Sequence, residues 1–131
     1  MAVNIQTIKD IQTYLAEELK DIYAKSETDA ITRIVIETVT GIARSGQFYR
    51  MQQEVTSVKR EKILEICKEL KTGRPLQYIL GETTFYNCRI KLNNETLIPR
   101  PETEELTDLV IKENKDFTGT VLDLGTGSGC I

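Results

Sequence analysis

The chain has 131 residues, 40% of them hydrophobic and 28% charged, with a net charge of −3, proportions that fit an ordinary soluble globular protein. It holds no histidine and three widely separated cysteines, Cys67, Cys88 and Cys130, which argues against a zinc site and for reduced thiols in the cytoplasm. Residues 71–100 carry five basic and two acidic side chains, residues 101–131 two and seven, and neither stretch forms the basic stripe that nucleic-acid binding requires.

No apolar run approaches the roughly 18 residues of a membrane span, and Met1-Ala2-Val3-Asn4 lacks the charged start and apolar centre of a signal peptide. Ile5, Ile8, Ile11, Leu15, Leu19 and Ile22 recur at spacings of three and four, predicting one apolar stripe on a helix over residues 4–24. Ser26 followed by Asp29 predicts the start of a second helix, with Gly41 as its stop. Ile31, Ile34 and Val35 keep helical spacing there despite β-branched neighbours that resist a helix. "ARSGQFYRMQQE" reads as a brief helical turn with Phe48 and Tyr49 pointing inward. In "TSVKREKILEICKELKTG", Thr56 or Ser57 caps a helix whose buried face is Val58, Ile63, Leu64, Ile66, Cys67 and Leu70, and Gly73 ends it. "RPLQYILG" adds a short helix between Pro75 and Gly81.

The pattern changes after Gly81. Thr83, Thr84, Phe85 and Tyr86, then Arg89, Ile90, Lys91 and Leu92, predict a β-hairpin turning at Asn87-Cys88. Pro99 and Pro101 force an extended entry to a helix from Glu102 to Glu113, burying Leu106, Leu109 and Val110. Glu102, Glu104 and Glu105 fall in its first turn, where the helix dipole favours negative charge. "TVLDLG" then reads as a short apolar strand running into a glycine loop.

That loop carries the chemistry. Asp123-Leu124-Gly125-Thr126-Gly127-Ser128-Gly129 lets the backbone turn sharply and approach a ligand with no Cβ in the way. The dinucleotide fingerprint G-x-G-x-x-G/A would want its third small residue at position 130, which is Cys130. The spacing D-x-G-x-G-x-G instead suits S-adenosylmethionine-dependent methyltransferases, with a glycine-rich turn in an unrelated α/β protein as the plain alternative.

"GRPLQYILG" (residues 73–81), Phe85-Tyr86, "LIPRPETEEL" (97–106) and "VLDLGTGSG" (121–129) stand in this order. Together they resemble the peptide chain release factor glutamine methyltransferases, the PrmC/HemK family. The resemblance implies a mainly α chain: an N-terminal helical bundle that docks substrate (1–82), a β-hairpin connector (83–98), and the first helix and strand of a Rossmann-like methyltransferase domain (99–131). It implies transfer of a methyl group from S-adenosylmethionine to the side-chain amide of the glutamine in the Gly-Gly-Gln loop of class 1 release factors. Asp123, Gly125, Thr126, Gly127, Ser128 and Gly129 would bind the cofactor, and Pro99, Arg100, Pro101, Glu102 and Thr103 would line its pocket. Anchoring the acidic first turn of its own helix weighs against a site role for Arg100, a dipole-complementing surface role against one for Glu102, and packing against ligation for Tyr78, Phe85 and Tyr86.

Family members continue beyond the glycine loop. Neither the acidic residue after the second strand nor the Asn-Pro-Pro-Tyr motif that holds the target amide occurs in this sequence. The chain is therefore expected to be a fragment, inert by itself, with its apolar tail disordered, folded on the bundle or paired with a second copy. Rival readings are a ribosomal-protein glutamine methyltransferase, a stand-alone helical protein-binding module and, least favoured, a dinucleotide-dependent dehydrogenase. No metal and no membrane partner is expected.

Overall fold

The computed structural model describes residues 4–131. They form two compact units, the first ending at Leu76 and the second running Gln77–Ile131.

The first unit is helical. Helix α1 spans Ile8–Leu19, α2 Lys25–Thr40, α3 Arg44–Gln47 and α4 Ser57–Leu70, and a 3₁₀ turn follows α3 over Phe48–Arg50. The predicted stripe of α1 is its core face: Ile8, Ile11, Leu15 and Leu19 are buried, and Ile5 is buried just ahead of the helix. They meet Ile31, Val35 and Ile36 of α2 and Ile63, Ile66, Cys67 and Leu70 of α4 in one core. Each such side chain contributes about 1.5–3 kcal/mol on leaving water. Ile22 lies past the helix end and is half exposed.

The start of α1 shows how its orphan amides are met. Thr7 Oγ1 accepts from the Asp10 amide, and Asp10 Oδ2 accepts from the Thr7 amide at 2.8 Å, a capping box. The Ile8 and Lys9 amides donate to the Gln53 and Met51 carbonyls at 3.2 and 2.9 Å, so the segment before α4 straps the helix entry. At the other end of the bundle Tyr23 Oη donates to the Leu70 carbonyl at 2.9 Å, covering the last turn of α4.

Besides Ile22, three details depart from expectation. Helix α2 begins at Lys25 with Ala24 as an uncapped N-cap, so Ser26 and Asp29 sit within its first turns and do not open it. Phe48 and Tyr49 point outward, 78% and 86% exposed, while Gln47 is buried in their stead. Val58 is exposed in the first turn of α4, which Thr56 caps, and Leu64 is half-buried.

The second unit holds most of α5 (Leu76–Leu80), the strands β1 (Glu82–Phe85) and β2 (Cys88–Lys91), and α6 (Pro101–Glu113). The strands pair antiparallel with Glu82 opposite Lys91 and Phe85 opposite Cys88. The turn is Tyr86-Asn87, one residue earlier than the sequence suggests, and both residues have positive φ, 46° and 61°. That is the mirror-image two-residue turn whose twist matches a hairpin's strands, and asparagine tolerates it well. At the base, the Leu92 amide donates to the Gly81 carbonyl at 2.8 Å. Helix α6 starts at Pro101, earlier than predicted, because a proline at the first position loses no hydrogen bond.

Two expectations fail in this unit. Leu106, Leu109 and Val110 are not buried but about half exposed. Residues 121–124 form no strand, and Val121, Leu122 and Leu124 are 80%, 78% and 83% exposed. A strand needs a neighbour to take its amides and carbonyls, and none pairs with this segment among the described residues.

Candidate functional site

The glycine loop has an unusual backbone. Gly125, Gly127 and Gly129 have φ of 79°, 54° and 70°, and no other residue between 121 and 131 has positive φ. Handedness therefore alternates along the loop, an arrangement that turns successive amides to one side and suits polar or anionic groups. The Gly129 amide donates to the Thr126 carbonyl at 2.7 Å, closing a turn. A Cβ at Gly125 or Gly129 would meet nothing within 4 Å, so these glycines serve backbone conformation and leave a bare, open surface.

Thr126 is exposed, and Asp123 and Ser128 are half-buried. No hydrogen bond or ion pair links Asp123 to the loop among the described residues. The three left-handed glycines leave bare backbone that a ligand can approach closely.

The second predicted constellation is the entry to α6. Arg100 is its N-cap, with extended backbone (φ −95°, ψ 149°) and no side-chain cap bond. Its carbonyl accepts from the Thr103 amide at 3.0 Å. Arg100, Pro101 and Glu102 are exposed, while Pro99 and Thr103 are half-buried. Arg100 forms no ion pair with the acidic first turn among the described residues, so the bland reading of it as an anchor for its own helix is not what the geometry shows. No hydrogen bond joins this entry to the glycine loop among the described residues.

Asp108, absent from the sequence reading, and Glu104, read there only as a first-turn charge, do the positioning here. Glu104 accepts the Tyr86 backbone amide, and Asp108, one turn on, accepts the Tyr86 hydroxyl at 2.9 Å. Lys112 pairs with the other oxygen of Asp108. The Lys112 ammonium, then the Tyr86 hydroxyl, holds the Asp108 carboxyl below its ordinary range, and the Asp108 bond pushes the Tyr86 phenol up. The hairpin turn is thus clamped to one face of α6. The i, i+4 spacing of Glu104 and Asp108 was the available signal. On the other side of the hairpin, Tyr78 Oη donates to the Thr96 carbonyl at 2.8 Å. Phe85 is buried, as the packing reading anticipates.

The motif order across both units now has an independent counterpart. The family model of the PrmC N-terminal domain matches residues 10–81. The chain belongs to this family. It is 35% identical over 128 residues to a release factor glutamine methyltransferase of Flavobacterium psychrophilum, covering 95% of this chain and 45% of that protein. A protein of the same name from Streptococcus pneumoniae is 40% identical over 98 residues, 74% of this chain and 35% of its own length. One from Thermodesulfovibrio yellowstonii is 44% identical over 88 residues, 65% and 32%. The chain thus spans less than half the length of these relatives.

Proposed function

We propose that this chain is the N-terminal part of a methyltransferase acting on the glutamine side-chain amide of the Gly-Gly-Gln loop in class 1 peptide chain release factors, in the cytoplasm. The observation that carries the reading is collinearity: the alignment with the Flavobacterium psychrophilum protein runs through 95% of the chain, from the helical bundle through the Pro99-Arg100-Pro101-Glu102 entry. The methyl donor, S-adenosylmethionine, would supply an electrophilic methyl group. Gly125, Thr126, Gly127, Ser128 and Gly129 would hold it, with Asp123 supporting the loop and Pro99, Arg100, Pro101, Glu102 and Thr103 along the pocket edge.

An amide nitrogen is a poor nucleophile, so this chemistry depends on holding the glutamine in an attacking orientation. The bundle, residues 1–82, contributes by docking the release factor, residues 83–98 connect, and residues 99–131 begin the donor-binding domain. The clamp of Tyr86 on Glu104 and Asp108 would then fix the connector against the helix that opens that domain.

By itself the 131-residue chain is inert, because the loop stands open and residues 121–124 lack paired neighbours. Its exposed Leu122 and Leu124, with the open apolar side of α6, would instead pair isolated copies. Protein docking alone, without catalysis, is the second reading, favoured by the self-contained core of the first unit.

The test uses labelled S-adenosylmethionine and a purified class 1 release factor. The chain alone should transfer nothing. A chimera joining it to the C-terminal remainder of the Flavobacterium psychrophilum protein should label the release factor. A chimera that binds the donor but labels no release factor would refute the proposal.

A further inference from the structure

The first unit carries a cleft of about 370 Å³ lined by Gln12, Ala30, Arg33, Arg44, Gln47, Phe48 and Met51. That volume lies in the range of ligand-binding clefts, roughly 300–1,000 Å³. Its lining contains two arginines and no carboxylate. Arg33 makes no side-chain ion pair among the described residues, and neither does the adjacent Arg50. Arg44 is held by Glu37 at 3.0 Å, which leaves the rim with a surplus of positive charge.

Beside the arginines stand Phe48 and Tyr49, 78% and 86% exposed, in edge-to-face contact with ring centroids 5.7 Å apart. In a chain with three phenylalanines and five tyrosines, two neighbouring rings left in water demand an account. Burial of either in the core would lower the free energy, yet the turn presents both outward. Their backbone is held firmly: Gln47, buried immediately before them, donates from Nε2 to the Arg33 and Ile42 carbonyls at 2.9 and 3.3 Å. The rings are thus displayed from a fixed base, and aromatic and arginine side chains are those that most often anchor protein interfaces.

We infer that the cleft between α2 and the 3₁₀ turn, edged by Arg33, Arg44 and Phe48, is a docking site for an acidic segment of a protein partner, with an apolar side chain seated against Phe48. Charge complementarity sets the acidic character, because a guanidinium pairs bidentately with a carboxylate. The exposed Phe48 ring sets the apolar contact. The inference deepens the proposed function, on which it rests for the partner's identity as a release factor.

The experiment measures binding of the 131-residue chain by fluorescence anisotropy to two probes. One is a labelled class 1 release factor, the other a labelled peptide alternating Asp and Glu with Leu and Phe. Arg33→Glu with Arg44→Glu, and separately Phe48→Ala, should each weaken binding by roughly tenfold or more, the scale of an interface anchor. Thermal midpoints should fall only slightly, since all three side chains are exposed and the Arg44–Glu37 pair that is lost lies in solvent, and Lys68→Glu on α4 should leave binding intact. Added salt should weaken the wild-type complex. Wild-type binding to the release factor that none of these cleft variants alters would overturn the site. Binding to the peptide alone, lost in the variants, would keep the site and remove the release factor as partner. Binding to neither probe would overturn the inference.

Discussion

Gln47→Glu tests the packing that displays the cleft. Gln47 is 3% exposed, and its Nε2 serves the Arg33 and Ile42 carbonyls at 2.9 and 3.3 Å while its Oε1 has no protein partner. The variant replaces that two-proton donor with an oxygen. Each carbonyl left without its donor costs about 1–3 kcal/mol, the longer bond at the lower end. A carboxylate in the same place adds desolvation and faces carbonyl lone pairs. Arg33 and Arg44 are exposed, so solvent screens the attraction they would offer. The expected loss at pH 7 is about 3 kcal/mol or more, a large part of the ~5–15 kcal/mol typical of a domain. Gln47→Met, which loses both bonds and adds no charge, should lose about 2 kcal/mol. The new carboxyl favours its neutral form when folded, so its folded pKa lies above the unfolded value near ~4.3. The folded state then binds more protons, and the variant's stability is greatest below that pH and falls as pH rises through the folded pKa. Urea melts followed by circular dichroism at several pH values read this directly as the difference from wild type, which lacks this carboxyl. A Gln47→Glu protein as stable as wild type at pH 7, or a difference that does not change with pH, would refute the assignment of these bonds.

Leu15→Ala, at a fully buried position on α1, should cost about 2–5 kcal/mol in the same melts; a loss below ~1 kcal/mol would mean the α1 stripe is not the core. Burial, chiefly, then the neighbouring Cys67 thiol, pushes the Tyr14 phenol up to about 12. In an ultraviolet titration a late-ionising step should vanish from the curve in Tyr14→Phe. Because that folded pKa is raised, its share of stability is intact below pH ~10 and lost as pH climbs through the folded value.

Helical spacing made α1 and the buried face of α4 legible, because Ile8, Ile11, Leu15 and Leu19 and Ile63, Ile66, Cys67 and Leu70 repeat at the period the core demands. What was missed depends on contacts distant in sequence. Gln47 outcompetes Phe48 and Tyr49 for the interior because two carbonyls need its donors, which no local pattern reveals. The hairpin turn sits at Tyr86-Asn87 where Glu104 and Asp108, 18 and 22 residues on, hold Tyr86. The glycine loop was legible because left-handed backbone selects glycine at 125, 127 and 129. The strand before it was not, because apolar composition suggests a strand but only a paired neighbour makes one.

The most direct test of the account is peptide mass spectrometry of a class 1 release factor after reaction with the chimera and S-adenosylmethionine. The account predicts a single added methyl group on the Gly-Gly-Gln glutamine, absent when that residue is replaced by alanine. A methyl group found on another residue, or on a ribosomal protein while the release factor stays unmodified, would contradict it.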